Sequence, residues 1–205
     1  LFCIMLSFLG LSSASKINAQ DWPNLEKYQT ANAELAAPTD GENRVVFMGN
    51  SITEMWKDAN PDFFEENPYV NRGIGGQTTP QMLLRFRQDV IDLHPKAVVI
   101  LAGTNDIAGN TGPMTLEQIH NNILSMVELA KANGIKPIVC SVLPAFDYPW
   151  RPGLQPNIKI PKLNSMLKVM AESQGVMYLD YFSEMADDRN GLPSALTTDE
   201  VHVTK

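Results

Sequence analysis

The sequence predicts an α/β fold: a three-layer α/β/α sandwich around a mostly parallel, flavodoxin-like sheet of five strands. Three observations support this prediction. Short apolar runs rich in Val and Ile recur along the chain, amphipathic stretches separate them, and several runs end in Gly and small polar residues. Strands that alternate with helices form right-handed crossovers, which cover both faces of a parallel sheet. At 205 residues and 44% hydrophobic, the chain suits one domain.

Five short runs are the predicted strands. They read, in order, VVFMG, YVNRGI, AVVILAG, PIVCSVL and VMYLDY. Their apolar residues are mostly consecutive rather than alternating with polar ones, which is typical of strands buried on both faces of a parallel sheet.

Three longer stretches are predicted helices with recognisable ends. TPQMLLRFRQDVIDL follows the candidate caps Thr78 and Thr79, and its apolar residues recur along one face. TLEQIHNNILSMVELAKANG pairs Thr115 with Gln118 at the spacing of a capping box. IPKLNSMLKVMAESQG stops at Gly175, a residue type common just after a helix.

The first twenty residues have the pattern of a secretory signal. LFCIMLSFLGL is an apolar run too short to span a membrane, and SSASKINA after it is small and polar. We therefore expect residues 1–20 to be a signal peptide with an incomplete start, cleaved after Ala19 or Gln20, and the protein to be secreted or periplasmic. Cys3 lies inside the run rather than after it, which disfavours a lipid anchor.

The rest of the chain divides into a lead-in segment, residues 21–43, and a domain, residues 44–205. Cys140 is the only cysteine in this part, so an intramolecular disulfide is impossible. The net charge of −7 argues against nucleic acid and anionic membranes as main partners. We expect no membrane span, no cofactor and no bound metal.

Polar residues follow three of the predicted strands at their carboxyl ends. VVFM is followed by GNSIT, YVNR by GIGGQTT and VVIL by AGTND, and TTDEVHVT stands near the C-terminus. Ligands of open α/β sheets bind at the carboxyl ends of the strands. These segments are therefore the candidate functional site.

Ser51, in GNSIT, has two interpretations. A Ser between a strand and a helix is more often a helix cap than a nucleophile. The segment is also not the G-x-S-x-G elbow of α/β-hydrolases, because Thr53 occupies the second glycine position.

A nucleophilic Ser needs a base, and the chain offers three histidines. His120 falls within a predicted helix, where a surface position is expected. His94 precedes a strand, and the extended chain at roughly 3.3 Å per residue places it about 30 Å from the strand ends. His202 remains, with Asp199 three residues before it, a spacing that lets the carboxylate orient the imidazole.

Acyl transfer also needs hydrogen-bond donors for the developing oxyanion. Gly76 could offer its backbone amide and Asn105 its side-chain amide. Each has another interpretation: the glycines could form a tight turn, and Asn105 could be a turn or cap residue. As a dinucleotide-binding pattern the Gly run is poor, because Thr78 occupies its last glycine position.

GNSI, GIGG, GTND and DEVH together resemble blocks I, II, III and V of the GDSL or SGNH hydrolases. The resemblance implies that Ser51 is the nucleophile and that Asp199 and His202 are its acid and base. It implies oxyanion donors on the amides of Ser51 and Gly76 and on the side chain of Asn105. GIGGQTT and the long amphipathic helix after it look most like the platelet-activating-factor acetylhydrolase-like branch.

Two departures from the family pattern stand out. Asn50 replaces the Asp of the GDSL name, and Val203 follows His202 where Pro or Leu is more usual. Family members also continue through a final helix that packs on the sheet. We expect the domain at 44–205 to lack that helix and to expose an apolar patch.

The resemblance and the strand-end residues together predict a serine esterase that acts on a small-molecule ester. The irregular stretch LPAFDYPWRPGLQP after a strand end could line the pocket through Tyr148, Trp150 and Arg151. Asn50, beside the nucleophile, is a further predicted substrate-binding residue. Anchoring of a Pro-rich loop is an equal alternative for Tyr148 and Trp150. This rim favours a short acyl group on a carbohydrate. Alternatives are a lysophospholipase or thioesterase, a non-catalytic carbohydrate-binding module and a flavodoxin-like binding protein.

Overall fold

The computed structural model describes residues 20–204, and its centre is a sheet of five parallel strands in the order β2-β1-β3-β4-β5. The predicted α/β fold is confirmed, and the sheet is wholly rather than mostly parallel. The strands are β1 (Val45–Gly49), β2 (Tyr69–Gly73), β3 (Ala97–Leu101), β4 (Lys136–Cys140) and β5 (Met177–Leu179).

Eight α-helices lie along the described chain. They are α1 (Gln29–Glu34), α2 (Ser51–Ala59), α3 (Pro61–Glu65), α4 (Thr79–Asp89), α5 (Thr104–Ile107), α6 (Leu116–Ala132), α7 (Pro156–Gln174) and α8 (Tyr181–Met185). Two short 3₁₀ helices span Leu25–Tyr28 and Ile91–Leu93. Within residues 20–204, none of these helices is long and apolar enough to cross a membrane.

Alternate residues of each central strand face opposite layers of helices. Val46 and Met48 of β1 pack into the larger apolar cluster, to which α4, α6 and α7 contribute. Phe47 packs into a smaller cluster with residues of α2, α3 and α8. Its ring makes edge contacts with Trp56 and Phe64, at centroid distances of 5.4 Å each. Side chains of a strand alternate between faces, so continuous apolar runs are needed where both faces are covered.

The helix ends follow the predicted signals. Thr78 and Gln81 form a capping box at the start of α4, and Thr115 and Gln118 form one at the start of α6. Each box satisfies amides that a helix terminus would leave unpaired.

Helix α7 differs from its predicted extent, because it begins at Pro156 and contains Pro161 within its length. A proline inside a helix removes the hydrogen bond to the carbonyl four residues earlier, here that of Asn157. The side chain of Asn190 donates to this carbonyl at 3.1 Å and satisfies it. A contact distant in sequence thus stabilises the first turn of α7, which the local pattern does not predict.

The lead-in segment contains the first 3₁₀ helix and α1, and it packs against α4. Asn32 of α1 donates to the carbonyl of Gln88 at 3.2 Å and to the carboxylate of Asp89 at 2.7 Å. The predicted signal peptide lies outside the described residues, apart from Gln20.

Candidate active site

The strand order brings the predicted functional segments to one edge of the sheet. Gly49 at the end of β1 stands in register with Gly73 of β2 on one side and with Leu101 of β3 on the other. The segments that follow these three strands therefore meet above β1. This edge is where open α/β sheets bind their ligands.

Ser51, His202 and Asp199 are in hydrogen-bonding contact. The Ser51 hydroxyl lies 2.8 Å from Nε2 of His202, although the two residues are 151 positions apart. Nδ1 of the same ring lies 2.6 Å from Oδ2 of Asp199. A hydroxyl, an imidazole and a carboxylate in this order are the arrangement of a serine nucleophile with its base.

Ser51 is the first residue of α2 and not its cap. Asn50 holds the cap position, and its side-chain oxygen accepts the amide of Ile52 at 3.0 Å. The side chain of Asn50 is thereby committed to the helix and only 1% of the residue is exposed. This placement corrects the prediction of Asn50 as a substrate-binding residue. It also leaves the amide of Ser51 at a helix amino end, which favours negative charge nearby.

Asp199 is held in a tight turn by its own neighbours. Its Oδ1 accepts the amides of Val201 at 3.0 Å and His202 at 2.7 Å and the hydroxyl of Thr197 at 3.1 Å. Partial burial alone would raise the pKa of Asp199, but the hydrogen bonds from the His202 amide and ring and from the Val201 amide outweigh it. The pKa of Asp199 is lowered to about 2. The carboxylate is therefore ionised at neutral pH and can orient the imidazole and stabilise its protonated form.

Two of the predicted oxyanion donors lie on adjoining segments, Gly76 in the turn after β2 and Asn105 in the short helix α5. Gly76 has φ of +74°, a left-handed conformation that favours glycine, and its carbonyl accepts the side chain of Asn110 at 3.1 Å. Asn105 is buried, and one N–H of its amide donates to the carbonyl of Gln77 at 3.0 Å. The amide of Gly75 is already used, since it donates to Oε2 of Glu54 at 2.6 Å.

The structure distinguishes between the two interpretations of Tyr148 in the Pro-rich loop. Tyr148 is fully buried, and its hydroxyl lies 3.3 Å from that of Thr104, beside Asn105. Tyr148 therefore anchors the loop and does not line a pocket mouth. Trp150 stacks on the Tyr148 ring at a centroid distance of 5.2 Å and is 46% exposed.

Arg151 ties the same loop to the segment after Asn105. Its guanidinium donates to the carbonyls of Ala108 at 2.7 Å and Gly109 at 2.6 Å. Arg151 is itself exposed. The structure thus gives Arg151 a role in joining two loops at this edge, next to the exposed ring of Trp150.

Sequence reasoning missed four buried or partly buried polar residues behind the site: Glu54, Gln77, Arg85 and Asp106. Asp106 follows Asn105 and accepts the amide and hydroxyl of Thr79 at 2.9 and 2.5 Å. Burial raises the pKa of Asp106 to about 6, and the hydrogen bonds from Thr79 oppose that rise. The only signal in the sequence was the position of Asp106 within GTND.

The other two histidines lie away from Ser51. His94 is exposed before the amino end of β3, and His120 on α6 contacts the side chain of Asn121 at 3.0 Å. Within residues 20–204, no three His, Cys, Asp or Glu side chains are grouped so that they could hold a metal ion.

An apolar cavity of about 470 Å³ adjoins His202 between α2 and α8. Its walls include Ile52, Met55, Leu143, Met185 and Val203.

Residues 47–205 match the sequence pattern of the GDSL-like lipase/acylhydrolase family. The chain belongs to this family. Membership makes the protein a carboxylic ester hydrolase, in agreement with the fold and with similar solved structures.

Two crystal structures from Bacteroides resemble this GDSL-like hydrolase over nearly its whole length. A protein from Bacteroides fragilis that is described as an acylhydrolase is 50% identical, with a TM-score of 0.89, and the match covers 91% of each chain. A GDSL-like lipase from Bacteroides thetaiotaomicron is 48% identical, with a TM-score of 0.87, over 89% of this chain and 90% of that one.

A curated relative matches over a shorter segment. The uncharacterized lipoprotein YqeF of Bacillus subtilis is 38% identical over 81 residues, which are 38% of this chain. The match spans about a third of the length of that relative.

Proposed function

We propose that this hydrolase cleaves esters through a Ser51 nucleophile with His202 as base and Asp199 as the orienting acid. The observation that carries the proposal is the continuous contact from the Ser51 hydroxyl to His202 at 2.8 Å and on to Asp199 at 2.6 Å. A non-catalytic module would have no need of this arrangement.

In the proposed reaction, Nε2 of His202 takes the proton of the Ser51 hydroxyl as Oγ attacks the ester carbonyl. The negative charge moves to the carbonyl oxygen, where the amides of Ser51 and Gly76 and the side chain of Asn105 donate hydrogen bonds. The imidazolium returns the proton to the departing alcohol, which leaves an acyl group on Ser51. Water, deprotonated by His202, then releases the acid and restores the hydroxyl.

We further propose a short acyl group, such as acetyl, carried by a carbohydrate. The exposed ring of Trp150 is supported from below by the buried Tyr148, and a fixed aromatic face of this kind suits a sugar ring. Arg151 beside it adds a hydrogen-bond donor to the rim.

A second candidate is a longer acyl chain, and the apolar cavity beside His202 favours it. Most of its wall residues are aliphatic or aromatic, and the volume would hold several methylene groups. The rim at Trp150 and Arg151, by contrast, offers an exposed aromatic face and a polar group, which suit a carbohydrate carrier. We therefore rank the short acyl group first.

We also propose an extracytoplasmic location. The apolar run at the N-terminus and the partial similarity to a lipoprotein support it. Fractionation of cells that express the full gene would test it, because a cytoplasmic product would contradict the proposal.

The proposed function is tested by Ser51→Ala with a panel of nitrophenyl esters from acetate to dodecanoate and acetylated xylose oligomers. We expect Ser51-dependent turnover that is highest for acetyl esters, and labelling of wild type but not Ser51→Ala by a fluorophosphonate probe. Full activity of Ser51→Ala would disprove the assignment of Ser51 as the nucleophile. If turnover is highest for long-chain esters, the result would support the second candidate instead. Absence of both labelling and turnover would favour a non-catalytic module.

A further inference from the structure

Arg85 is a buried charge that the proposed reaction does not use. It lies on α4 with no exposed surface, and its Nη1 pairs with Oδ2 of Asp89 at 2.9 Å, also buried. Taking two ions out of water costs several kcal/mol, and an apolar pair of similar volume is often equally stable. Stability therefore gives no sufficient reason for a guanidinium at this position, and its other contacts need an explanation.

The other contacts of Arg85 reach both catalytic segments. Its Nη2 donates to the carbonyl of Gly49 at 3.1 Å, at the end of β1 and two residues before Ser51. Its Nε donates to the side-chain oxygen of Gln77 at 2.6 Å. Gln77 follows Gly76, and its backbone carbonyl accepts the amide of Asn105 at 3.0 Å. One rigid group thus joins the nucleophile's turn to the loop of the oxyanion donors.

We infer that Arg85 is a positioning residue that sets the distance between Ser51 and the oxyanion donors at Gly76 and Asn105. The inference rests on the proposed function. A guanidinium presents its donors in a fixed planar fork, whereas a Lys ammonium is a single point on a flexible stem and cannot hold three separate acceptors in that geometry. Displacement of a catalytic group by 1 Å costs as much as about 10²-fold in rate.

The lead-in segment completes the same network from outside. The amide nitrogen of Gln77 donates to the carbonyl of Pro23 at 2.7 Å, and Asp89 accepts the side chain of Asn32 at 2.7 Å. Both side chains that bind Arg85 therefore have their remaining polar atoms engaged by residues 21–43. The hydrogen bond to Pro23 limits the freedom of the Gln77 side chain. The hydrogen bond from Asn32 to Asp89 helps to hold the lead-in segment on α4.

Arg44 provides a matched control at the amino end of β1, opposite the end that carries the site. It is also buried, pairs with Glu42 at 2.9 Å and donates to the carbonyls of Leu93 at 3.1 Å and Ala36 at 2.9 Å. Its guanidinium has the same kinds of partner as that of Arg85 but touches neither catalytic segment. Loss of Arg44 should therefore lower stability without altering the geometry of the site.

The test measures kcat and KM for nitrophenyl acetate at a temperature where each variant is folded. The variants are Arg85→Met, Arg85→Lys, Gln77→Met and Arg44→Met, each made in the wild-type chain. We expect kcat to fall about 10²-fold in Arg85→Met and about 10-fold in Arg85→Lys and Gln77→Met, with KM within about threefold of wild type. The rate of Ser51 labelling by a fluorophosphonate should fall in parallel. Arg44→Met should lower the unfolding midpoint and keep kcat within about twofold.

Arg85→Lys and Gln77→Met keep the inference testable if Arg85→Met does not fold. If the wild-type protein shows Ser51-dependent turnover and both of these variants keep its kcat, this inference alone is overturned. A kcat loss of equal size in Arg44→Met would also overturn it, because the effect would then be one of general stability. Absence of Ser51-dependent turnover in the wild-type chain would overturn the proposed function and this inference together.

Discussion

The two sides of the candidate site are held in different ways. Asp199 and His202 lie on one turn, their side chains are 45% and 24% exposed, and residues three apart make their mutual contact. Asn105, on the oxyanion side, is buried and depends on Gln77, which in turn depends on Arg85 of α4. The acid–base side is thus local and open to solvent. The oxyanion side is assembled from several elements of the fold.

This difference predicts that substitutions on the acid–base side lower the reaction rate with little loss of stability. Substitutions on the oxyanion side should lower both. An exposed polar contact contributes little to stability, whereas a buried acceptor left without its donor costs about 1–3 kcal/mol. Substitutions on the two sides can therefore be compared by rate and unfolding free energy together.

The largest effect on rate is expected for His202→Ala. Loss of the proposed base would remove the proton transfer on which attack depends, and comparable losses in serine hydrolases are about 10⁶-fold in kcat. The free energy of unfolding should change by less than about 1 kcal/mol, since the side chain is partly exposed and its partners can bind water. Ester hydrolysis and urea denaturation measure the two quantities.

Asp199→Asn is the matched variant for that comparison, because it keeps the shape of the turn and removes the charge. It should lose rate without losing structure. A large loss of stability in either variant would contradict the view that the acid–base side is held only locally.

Asn105→Ala should reduce rate less and stability more. Removal of one oxyanion donor typically lowers kcat by about 10²–10³-fold. The same change leaves the buried carbonyl of Gln77 without a donor, which should lower the unfolding free energy by about 1–3 kcal/mol.

Asn122→Ala serves as the control for Asn105→Ala. Its side chain donates to the hydroxyl of Thr79 at 3.0 Å, outside the reacting groups. It should lose stability without a comparable loss of kcat. Equal loss of rate in the two variants would show that the Asn105 effect reflects packing rather than oxyanion binding.

The sequence predicts the local features of both sides and not the contacts between elements. GNSIT, GIGGQTT and GTND follow strands, so the order of the strands is enough to bring them together, and D-x-x-H is contained in one turn. The cap at Thr78 and the capping box at Thr115 are likewise local and are confirmed. Each of these features depends on residues a few positions apart or on the general topology of a parallel sheet.

The features that escaped prediction all depend on distant partners. Arg85, within an amphipathic stretch, has the sequence appearance of a solvent-facing residue, and only the meeting of β1, α4 and the oxyanion loop buries it. Tyr148 lies in a Pro-rich loop, and its burial depends on Thr104. The pattern around Ser51 allowed a cap there, and only the geometry of the turn assigns the cap to Asn50. Periodicity and spacing contain no information on such contacts.

Asp106→Asn should have the smallest effect on rate among these variants, and its effect on stability should depend on pH. The folded-state pKa of about 6 exceeds the ordinary value of 3.8, so the ionised carboxylate is less favourable in the folded than in the unfolded chain. The contribution of Asp106 to stability is complete below about pH 4 and is lost as the pH rises through about 6. The loss approaches about 3 kcal/mol at neutral pH, from 1.36 kcal/mol per pKa unit.

An Asn at this position cannot ionise, so the difference in unfolding free energy between variant and wild type should shift in favour of the variant from pH 4 to pH 7.5. Urea denaturation at several pH values measures that shift, with Ser165→Ala, an exposed substitution that removes no titratable group, as the control. The slope is the informative quantity, because the buried amide adds a pH-independent penalty of its own. A difference that does not vary with pH would mean that Asp106 is solvated in the folded protein. The oxyanion side would then be less enclosed than the contacts of Asn105 and Thr79 indicate.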